Sequence, residues 1–271
     1  MILRHTSLRE YLVWIGDIRL AIQVIDAHSH LDEIADVHGA IAKARSSNIV
    51  AIIAVGTCKE SNMKVARLSE IYKDYVYHAI GIHPWNLESL DLEEEFDYLR
   101  SASRNCIGIG EIGLDYRIET DRCLQRKVFS EALSIAESRN LPVIIHARAA
   151  WSDAYKMVKD VGVEKAIFHW FSGSDSVLRK IVRDGYLISA TPAASYSLTH
   201  IKAIKLTPIE YIIVESDSPV SYRNVASDPS WAVKSLEAVA KIKGVRIEDL
   251  ADKVLENTCR IYNIKIHHKV F

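Results

Sequence analysis

The sequence predicts an α/β fold, and specifically a (β/α)8 TIM barrel, from three observations. Eight short, almost continuous apolar runs rich in Ile and Val recur along the chain. Segments with apolar residues at three- and four-residue spacing lie between these runs. The chain has 271 residues, and barrels of this type commonly occupy about 250 residues as one domain. An open, doubly wound sheet is the alternative architecture.

The eight runs have the composition of parallel strands that are buried on both faces. In chain order they span residues 24–28, 49–55, 76–82, 106–111, 143–146, 166–169, 186–190 and 211–215. The segments between them have the periodicity of amphipathic helices. The candidate helix-start residues are Asp36, Ser61, Asp121 and Ser174.

The chain is expected to have an N-terminal extension, residues 1–23, and a single barrel domain, residues 24–271. Apolar residues at helical spacing predict an amphipathic helix within the extension. Glu10, Asp17 and Arg19 interrupt its apolar stretches, which excludes a membrane-spanning helix and a signal-peptide core. We expect the extension to be an extra helix packed on the barrel or a leader outside it.

Charge and cysteine usage narrow the class of protein. The net charge of −1 argues against a protein that coats duplex nucleic acid through bulk positive charge. The four cysteines are widely separated and form no CxxC pair: Cys58, Cys106, Cys123 and Cys259. They are typical of reduced thiols rather than of a zinc cage, so a cytoplasmic protein is expected.

Ionisable residues are concentrated at the ends of the predicted strands. Six candidates close or follow the first, fourth, fifth, sixth and eighth runs: His28, His30, Glu111, His146, His169 and Asp217. In a parallel barrel the carboxyl ends of all strands meet on one rim, where barrel enzymes place their catalytic residues. The sequence therefore predicts that these side chains share one site.

The types and spacing of these residues indicate a metal centre. His28 and His30 are two residues apart, so in a strand they point to the same side and can bind one cation together. Imidazole and carboxylate ligands suit zinc, manganese or iron and, with fewer nitrogens, magnesium. Four histidines and two carboxylates exceed what one tetrahedral ion needs. We therefore expect two divalent cations, with Glu111 as the bridging carboxylate.

The motifs that contain these residues resemble those of the TatD family of metal-dependent deoxyribonucleases, which are metallo-dependent hydrolase barrels. The matching stretches are DAHSHLD (26–32), GIHP (81–84), GEIGLDY (110–116), IIHAR (144–148), HWFSG (169–173), ESDSP (215–219) and LENT (255–258). They follow the family's order and cover nearly all of the chain after the first 23 residues.

The resemblance implies a role for each candidate. His28 and His30 would bind the first cation, His146 and His169 the second, and Glu111 both. Asp217 would complete the first ion's shell and act as the base that activates the attacking water. The implied activity is hydrolysis of phosphodiester bonds from the 3′ end of single-stranded DNA with Mg²⁺ or Mn²⁺, and Zn²⁺ is a further ion that could be bound.

The resemblance also indicates substrate contacts. His83 and Arg148 match positions near the substrate, where they could meet phosphate. Trp170 stands where the family usually has a small residue, so it is either a stacking platform for a base or a packing residue. The loop 220–229 is shorter than in the family and altered, and it keeps Arg223 as a possible substrate contact.

This altered loop leaves other functions open. The same barrel and metals could hydrolyse a lactone, an amide or an aminoacyl-tRNA ester. A non-catalytic barrel that acts as a binding protein is the alternative from another class, and the retention of all six candidate ligands argues against it. We expect a monomer with no membrane association and no protein partner that the sequence identifies.

Overall fold

The computed structural model describes residues 22–85 and 87–266. Within them, eight strands form one sheet in which each strand is parallel to the next. They are β1 (Val24–Ser29), β2 (Ile49–Val55), β3 (Val76–Ile80), β4 (Gly108–Asp115), β5 (Val143–Arg148), β6 (Ala166–Phe168), β7 (Leu187–Ala190) and β8 (Ile212–Val214). This order confirms the predicted (β/α)8 barrel, and the open-sheet alternative is wrong.

Helices connect and surround the strands. They are α1 (Val37–Ser46), α2 (Lys59–Ile71), α3 (Leu92–Ala102), α4 (Arg122–Arg139), α5 (Trp151–Val161), α6 (Asp175–Arg183), α7 (Leu198–Leu206), α8 (Ala232–Lys243) and α9 (Ile247–Tyr262). A two-stranded antiparallel hairpin of β9 (Ser221–Tyr222) and β10 (Val225–Ala226) follows β8. In the described part of the chain, no helix is both long and apolar enough to cross a membrane. Residues 1–21, which form most of the expected extension, lie outside the described residues.

Three of the four expected helix starts are N-caps. The side chains of Asp36, Asp121 and Ser174 accept hydrogen bonds from backbone N–H groups in the first turns of α1, α4 and α6. Ser61 is not an N-cap, because α2 already begins at Lys59. Ser61 lies in the first turn of that helix, where its hydroxyl accepts a hydrogen bond from the backbone N–H of Thr57 at 3.1 Å.

The seam between β8 and β1 closes the barrel beside the predicted site. The backbone N–H of His30 donates to the carbonyl oxygen of Ser218 at 2.7 Å, and that of Asp217 donates to the carbonyl oxygen of His28 at 3.0 Å. Below these bonds, the buried Asp26 carboxylate accepts hydrogen bonds from the backbone N–H and the hydroxyl of Ser216. The segment after β8 is therefore fixed against β1.

Alternate residues of the strands fill the barrel interior, while the others pack against the helices. The interior cluster includes Ile25, Ala51, Ile53, Ala79, Ile144, Ile167, Leu187 and Ile213. Tyr262 of α9 belongs to the same cluster and donates its hydroxyl hydrogen to the carbonyl oxygen of Ala27 at 3.2 Å. The interior is thus a packed core with the functional rim above it.

Strands β4 and β5 are longer than the sequence predicts. They pair as far as Asp115 and Arg148, and Gly113 lies opposite His146. Gly113 has a φ of 149°, and a Cβ atom at this position would lie 1.9 Å from the carbonyl oxygen of His146. The sequence-based boundary at Glu111 is wrong because an apolar run cannot show how far the two strands continue to pair.

Candidate metal centre

Three polar side chains at the carboxyl ends of β5, β6 and β8 continue the rows of strand residues that face the barrel interior. His146, His169 and Glu215 each follow an interior residue by two positions, namely Ile144, Ile167 and Ile213. Because residues two apart in a strand point to the same side, the three polar side chains continue the interior rows.

His28 and Glu111 reach the same space through irregularities in the sheet. The β1–β2 register shifts between Asp26 and Ser29, and the β4–β5 register shifts between Ile109 and Ile112. Bulges of this type redirect side chains and are common beside active sites. Both residues are buried, with 0% exposure for His28 and 3% for Glu111.

The two carboxylate oxygens of Glu111 face different histidines. Oε2 lies 3.4 Å from His28 Nε2 and 3.3 Å from His30 Nε2. Oε1 lies 3.0 Å from His146 Nδ1 and 3.9 Å from His169 Nε2. Glu111 therefore lies between two groups of imidazole nitrogens, as a bridging ligand must.

Asp217 closes the site from the side of β8. Its Oδ1 lies 3.6 Å from His28 Nε2 and 3.7 Å from His30 Nε2, while its Oδ2 lies 3.7 Å from His169 Nε2. The backbone of Asp217 has a φ of 50°, in the left-handed region that non-glycine residues rarely adopt. Conformations of this type are concentrated at functional sites, where the surrounding structure holds them.

Hydrogen bonds set the orientation of two imidazoles. His30 Nδ1 donates to the carbonyl oxygen of Val55 at 3.1 Å, and His169 Nδ1 donates to Glu215 Oε1 at 2.6 Å. In the neutral rings, Nε2 is then unprotonated and offers its lone pair to the site. This is the arrangement that metal-ligating histidines require.

The carboxylates make the site strongly attractive to positive charge. Burial lowers the pKa of His30, but the hydrogen bond and charge of Glu111 outweigh burial and raise this pKa to about 9. Burial likewise lowers the pKa of His169, whereas the charges of Glu215 and Asp217 raise it to about 10. Burial is the main cause of the raised pKa of Asp217. Divalent cations would replace these protons as the charges that balance the carboxylates.

Three groups of three ligand atoms each lie close enough together to hold a metal ion, and His146 and His169 fall in different groups. The first group has one ligand atom from each of His28, His30 and Asp217, and these three atoms lie within 4.8 Å of one another. The ligand atoms of His83, Glu111 and His146 form a second such group, and those of His28, His169 and Glu215 form a third. The Nε2 atoms of His28 and His30 are only 3.1 Å apart, which suits two ligands of one ion.

A family model described as TatD related DNase matches residues 25–263 of this chain. The chain belongs to this family. Putative deoxyribonuclease tatdn3 of Danio rerio is 30% identical over 257 residues, which cover 88% of this chain and 97% of the zebrafish protein. Deoxyribonuclease TATDN3 of Homo sapiens is 28% identical over 267 residues, which cover 91% of this chain and 97% of the human protein.

A solved structure supports the same family assignment. The TatD homologue YJJV from Escherichia coli K12 has a TM-score of 0.84 and 25% identity to this chain, and the match covers 90% of this chain and 99% of the other. The chain is therefore a TatD-family hydrolase that uses divalent metal, of the deoxyribonuclease type.

In this TatD-family site, His83 is oriented to donate a hydrogen bond from Nε2. The backbone N–H of Trp85 donates to His83 Nδ1 at 3.3 Å, so the proton of the neutral ring is on Nε2. Nε2 lies 3.5 Å from Glu111 Oε1. Burial lowers the pKa of His83 to about 4, which keeps the ring neutral. A protonated Nε2 favours a hydrogen bond to substrate or to Glu111 over metal ligation.

Arg148 lies on the same side of the rim and is tied to Asp115. Its Nε donates to the Asp115 carboxylate at 3.0 Å, and its side chain is 52% exposed. The same carboxylate lies 3.3 Å from His146 Nε2. Burial alone would raise the pKa of Asp115, but hydrogen bonds from His146, Trp85 and Arg148 outweigh it and lower this pKa.

The other two expected substrate contacts follow β6 and β8. The ring of Trp170 is 6.2 Å from that of His169 and 5.6 Å from that of Tyr222, and it is half-buried. Arg223 is exposed in the turn of the β9–β10 hairpin, where its guanidinium lies 4.7 Å from the centre of the Tyr196 ring. Their contact with substrate stays a prediction.

Sequence reasoning missed Glu215 as part of the site. It is fully buried, and its Oε1 accepts hydrogen bonds from His169 and from the Ser189 hydroxyl at 2.6 Å each. The signal was present, because Glu215 ends the eighth apolar run as His146 and His169 end theirs. Asp115 serves as a hydrogen-bonding partner on the rim through its contacts with His146 and Arg148.

Proposed function

We propose that this chain removes nucleotides from the 3′ end of single-stranded DNA by phosphodiester hydrolysis with two divalent cations. The observation that carries this proposal is the position of Glu111, whose two oxygens face two different groups of imidazole nitrogens. A single mononuclear site would not need a buried carboxylate shared in this way.

The proposed ligands divide between the two oxygens of Glu111. His28, His30 and Asp217 surround the Oε2 side, and His146 and His169 surround the Oε1 side. When bound there, two cations lower the pKa of an attacking water and offset the charge of the phosphoryl group. Asp217 is the proposed base, because its two oxygens face both sides of the centre.

Glu215 is proposed to support the site rather than to bind metal. Its Oε1 already accepts two hydrogen bonds, one of which fixes the tautomer of His169. The group of His28, His169 and Glu215 is therefore better explained by two histidines that bind different ions and a carboxylate that orients one of them, His169.

DNA is the proposed substrate for two reasons. The family's relatives include proteins named as deoxyribonucleases, and positively charged and hydrogen-bond-donating side chains lie beside the metal centre. His83 can donate a hydrogen bond from Nε2 near Glu111, while the Nε of Arg148 already donates to Asp115. Within the described residues, the two Nη groups of Arg148 have no hydrogen-bond partner and can meet a phosphate.

Mg²⁺ or Mn²⁺ is proposed as the ion of the active enzyme, with Zn²⁺ as an ion that the four imidazoles could also bind. We propose a monomer in the cytoplasm. All four cysteines are free thiols, which suits a reducing compartment.

The deciding experiment is digestion of single-stranded DNA labelled at either end, with Mg²⁺, with Mn²⁺ and with EDTA. We expect metal-dependent shortening from the 3′ end, absent in Asp217→Asn, and protection by a 3′-terminal phosphorothioate. Shortening from the 5′ end would contradict the polarity alone. Intact DNA with a folded, metal-loaded protein would contradict the nuclease proposal, and lactone, amide and aminoacyl-tRNA substrates would then be compared.

A further inference from the structure

Trp85 is exposed at the rim of the metal centre. It follows β3, two residues after His83, and it is 49% exposed. Among the large apolar side chains that are exposed within residues 22–85 and 87–266, it is the aromatic one. Roughly half of this side chain is therefore in contact with water.

The ring is held in place rather than loosely attached to the surface. Its indole Nε1–H donates to Asp115 Oδ2 at 2.9 Å, and Asp115 is fully buried. The backbone N–H of Asp115 donates to the Gln125 side chain at 2.7 Å, and the backbone N–H of Arg117 donates to Asp115 Oδ1 at 2.9 Å. The indole is therefore anchored through a carboxylate that also accepts hydrogen bonds from Arg117 and Arg148 and lies 3.3 Å from His146 Nε2.

This anchor also places the indole beside the predicted phosphate contacts. Its ring lies 4.7 Å from that of His83 in an edge-to-face arrangement, with an interplanar angle of 86°, and 6.1 Å from that of His146. Arg148 shares the Asp115 carboxylate with the indole. One buried carboxylate thus positions a proposed metal ligand, a proposed phosphate contact and an exposed aromatic ring.

We propose that Trp85 is a nucleobase platform: it stacks on the base of a nucleotide next to the phosphate that His83 and Arg148 contact. This inference rests on the proposed function for the identity of the substrate. Stacking suits an enzyme that must accept successive nucleotides, because every base has a π-face and stacking tolerates any sequence. Trp170 differs from Trp85, because its ring is half-buried between His169 and Tyr222.

The platform is tested first by binding, with oligonucleotides that carry 2-aminopurine at one of the three 3′-terminal positions. Stacking quenches 2-aminopurine fluorescence, and Asp217→Asn protein prevents digestion during the titration. We expect quenching at one position with this protein, its loss when Trp85→Ala is added, and its retention with Trp85→Phe, which keeps an aromatic ring. Leu198→Ala, at another exposed apolar side chain, is the matched control.

A second measurement compares hydrolysis of a normal 3′ end with that of an end whose nucleotides lack bases. Trp85→Ala in the otherwise unchanged enzyme should raise KM for the normal end about tenfold and leave the abasic end nearly unaffected, as expected for loss of one stacking contact. Trp85→Phe should largely restore the preference for bases. An equal effect of Trp85→Ala on both ends would show a merely structural role.

The two arms separate the platform from the proposed function. Quenching that depends on Trp85 without any hydrolysis would support the platform and contradict the nuclease activity. Hydrolysis with no quenching at any of the three positions, or with quenching that survives Trp85→Ala, would overturn the platform and leave the nuclease proposal standing.

Discussion

His169 Nδ1 lies 2.6 Å from Glu215 Oε1, and both side chains are buried. The carboxylate also accepts the hydroxyl hydrogen of Ser189, so its position does not depend on His169 alone. Because Nδ1 of His169 donates to Glu215, loss of one proton from the imidazolium leaves the Nε2 lone pair facing Glu111 and Asp217. The pair therefore orients His169 so that Nε2 can take its proposed role as a metal ligand once a cation displaces its proton.

Glu215→Ala is expected to weaken metal binding by about 10- to 100-fold, the usual effect of losing a carboxylate that orients a ligating histidine. Glu215→Gln, which keeps an acceptor but removes the charge, should have a smaller effect. Competition with a fluorescent chelator for Mn²⁺ measures both. Glu210→Ala, an exposed glutamate just before the same strand, is the control. An unchanged affinity in Glu215→Ala would contradict the orienting role.

Glu111→Ala should reduce the affinity for both cations at once. The reason is that Oε1 and Oε2 face the two imidazole groups separately, so the substitution removes one oxygen from each side. Elemental analysis after dialysis against a fixed free-metal concentration should give two ions in the parent protein and fewer than one in the variant. Loss of a single ion would argue against bridging, and an unchanged content would exclude Glu111 as a ligand.

Asp217→Asn should lower kcat by about 10²- to 10⁴-fold while retaining the fold and most of the metal affinity, as expected for removal of a general base. The amide is nearly isosteric and keeps one oxygen at the site, but it cannot accept the proton of the attacking water. Single-turnover digestion and metal analysis of the same sample measure the two effects. Asp160→Asn, at an exposed position in α5, is the matched control. Near-full activity of Asp217→Asn would assign the base elsewhere.

The sequence alone predicts part of the site, because β5 and β6 alternate regularly between interior and exterior residues. His146 and His169 continue the interior rows of Ile144 and Ile167, so alternation alone places them correctly. Glu215 continues the row of Ile213 in the same way, and the same rule could have identified it.

The remaining geometry depends on pairing that a single strand does not reveal. The position of Glu111 depends on the register shift between Ile109 and Ile112, which exists only because β4 pairs with β5. The contact between Asp115 and Trp85 likewise joins the end of β4 to the segment after β3. Neither an apolar run nor a helical period contains this information.

The pH dependence of stability offers a test of the metal centre as a whole. The pKa of His30 is raised to about 9 and that of His169 to about 10, both above the value of about 6.5 in an unfolded chain. Their protonation therefore stabilises the metal-free fold fully below pH 6.5, and this contribution is lost as the pH rises toward 9 and 10. Cations compete with the same protons, so metal binding strengthens over this interval.

The stabilisation by Mn²⁺, measured as the difference in Tm between metal-loaded and EDTA-treated protein, should consequently increase from pH 6 to pH 8.5. His169→Ala should reduce both the size of this difference and its slope with pH, because it removes one of the two protons that the metal displaces. His78→Ala, at a histidine that hydrogen-bonds Ser69 away from the site, should leave the slope unchanged. A difference that stays constant or falls with pH would mean that metal binding does not displace protons from these imidazoles.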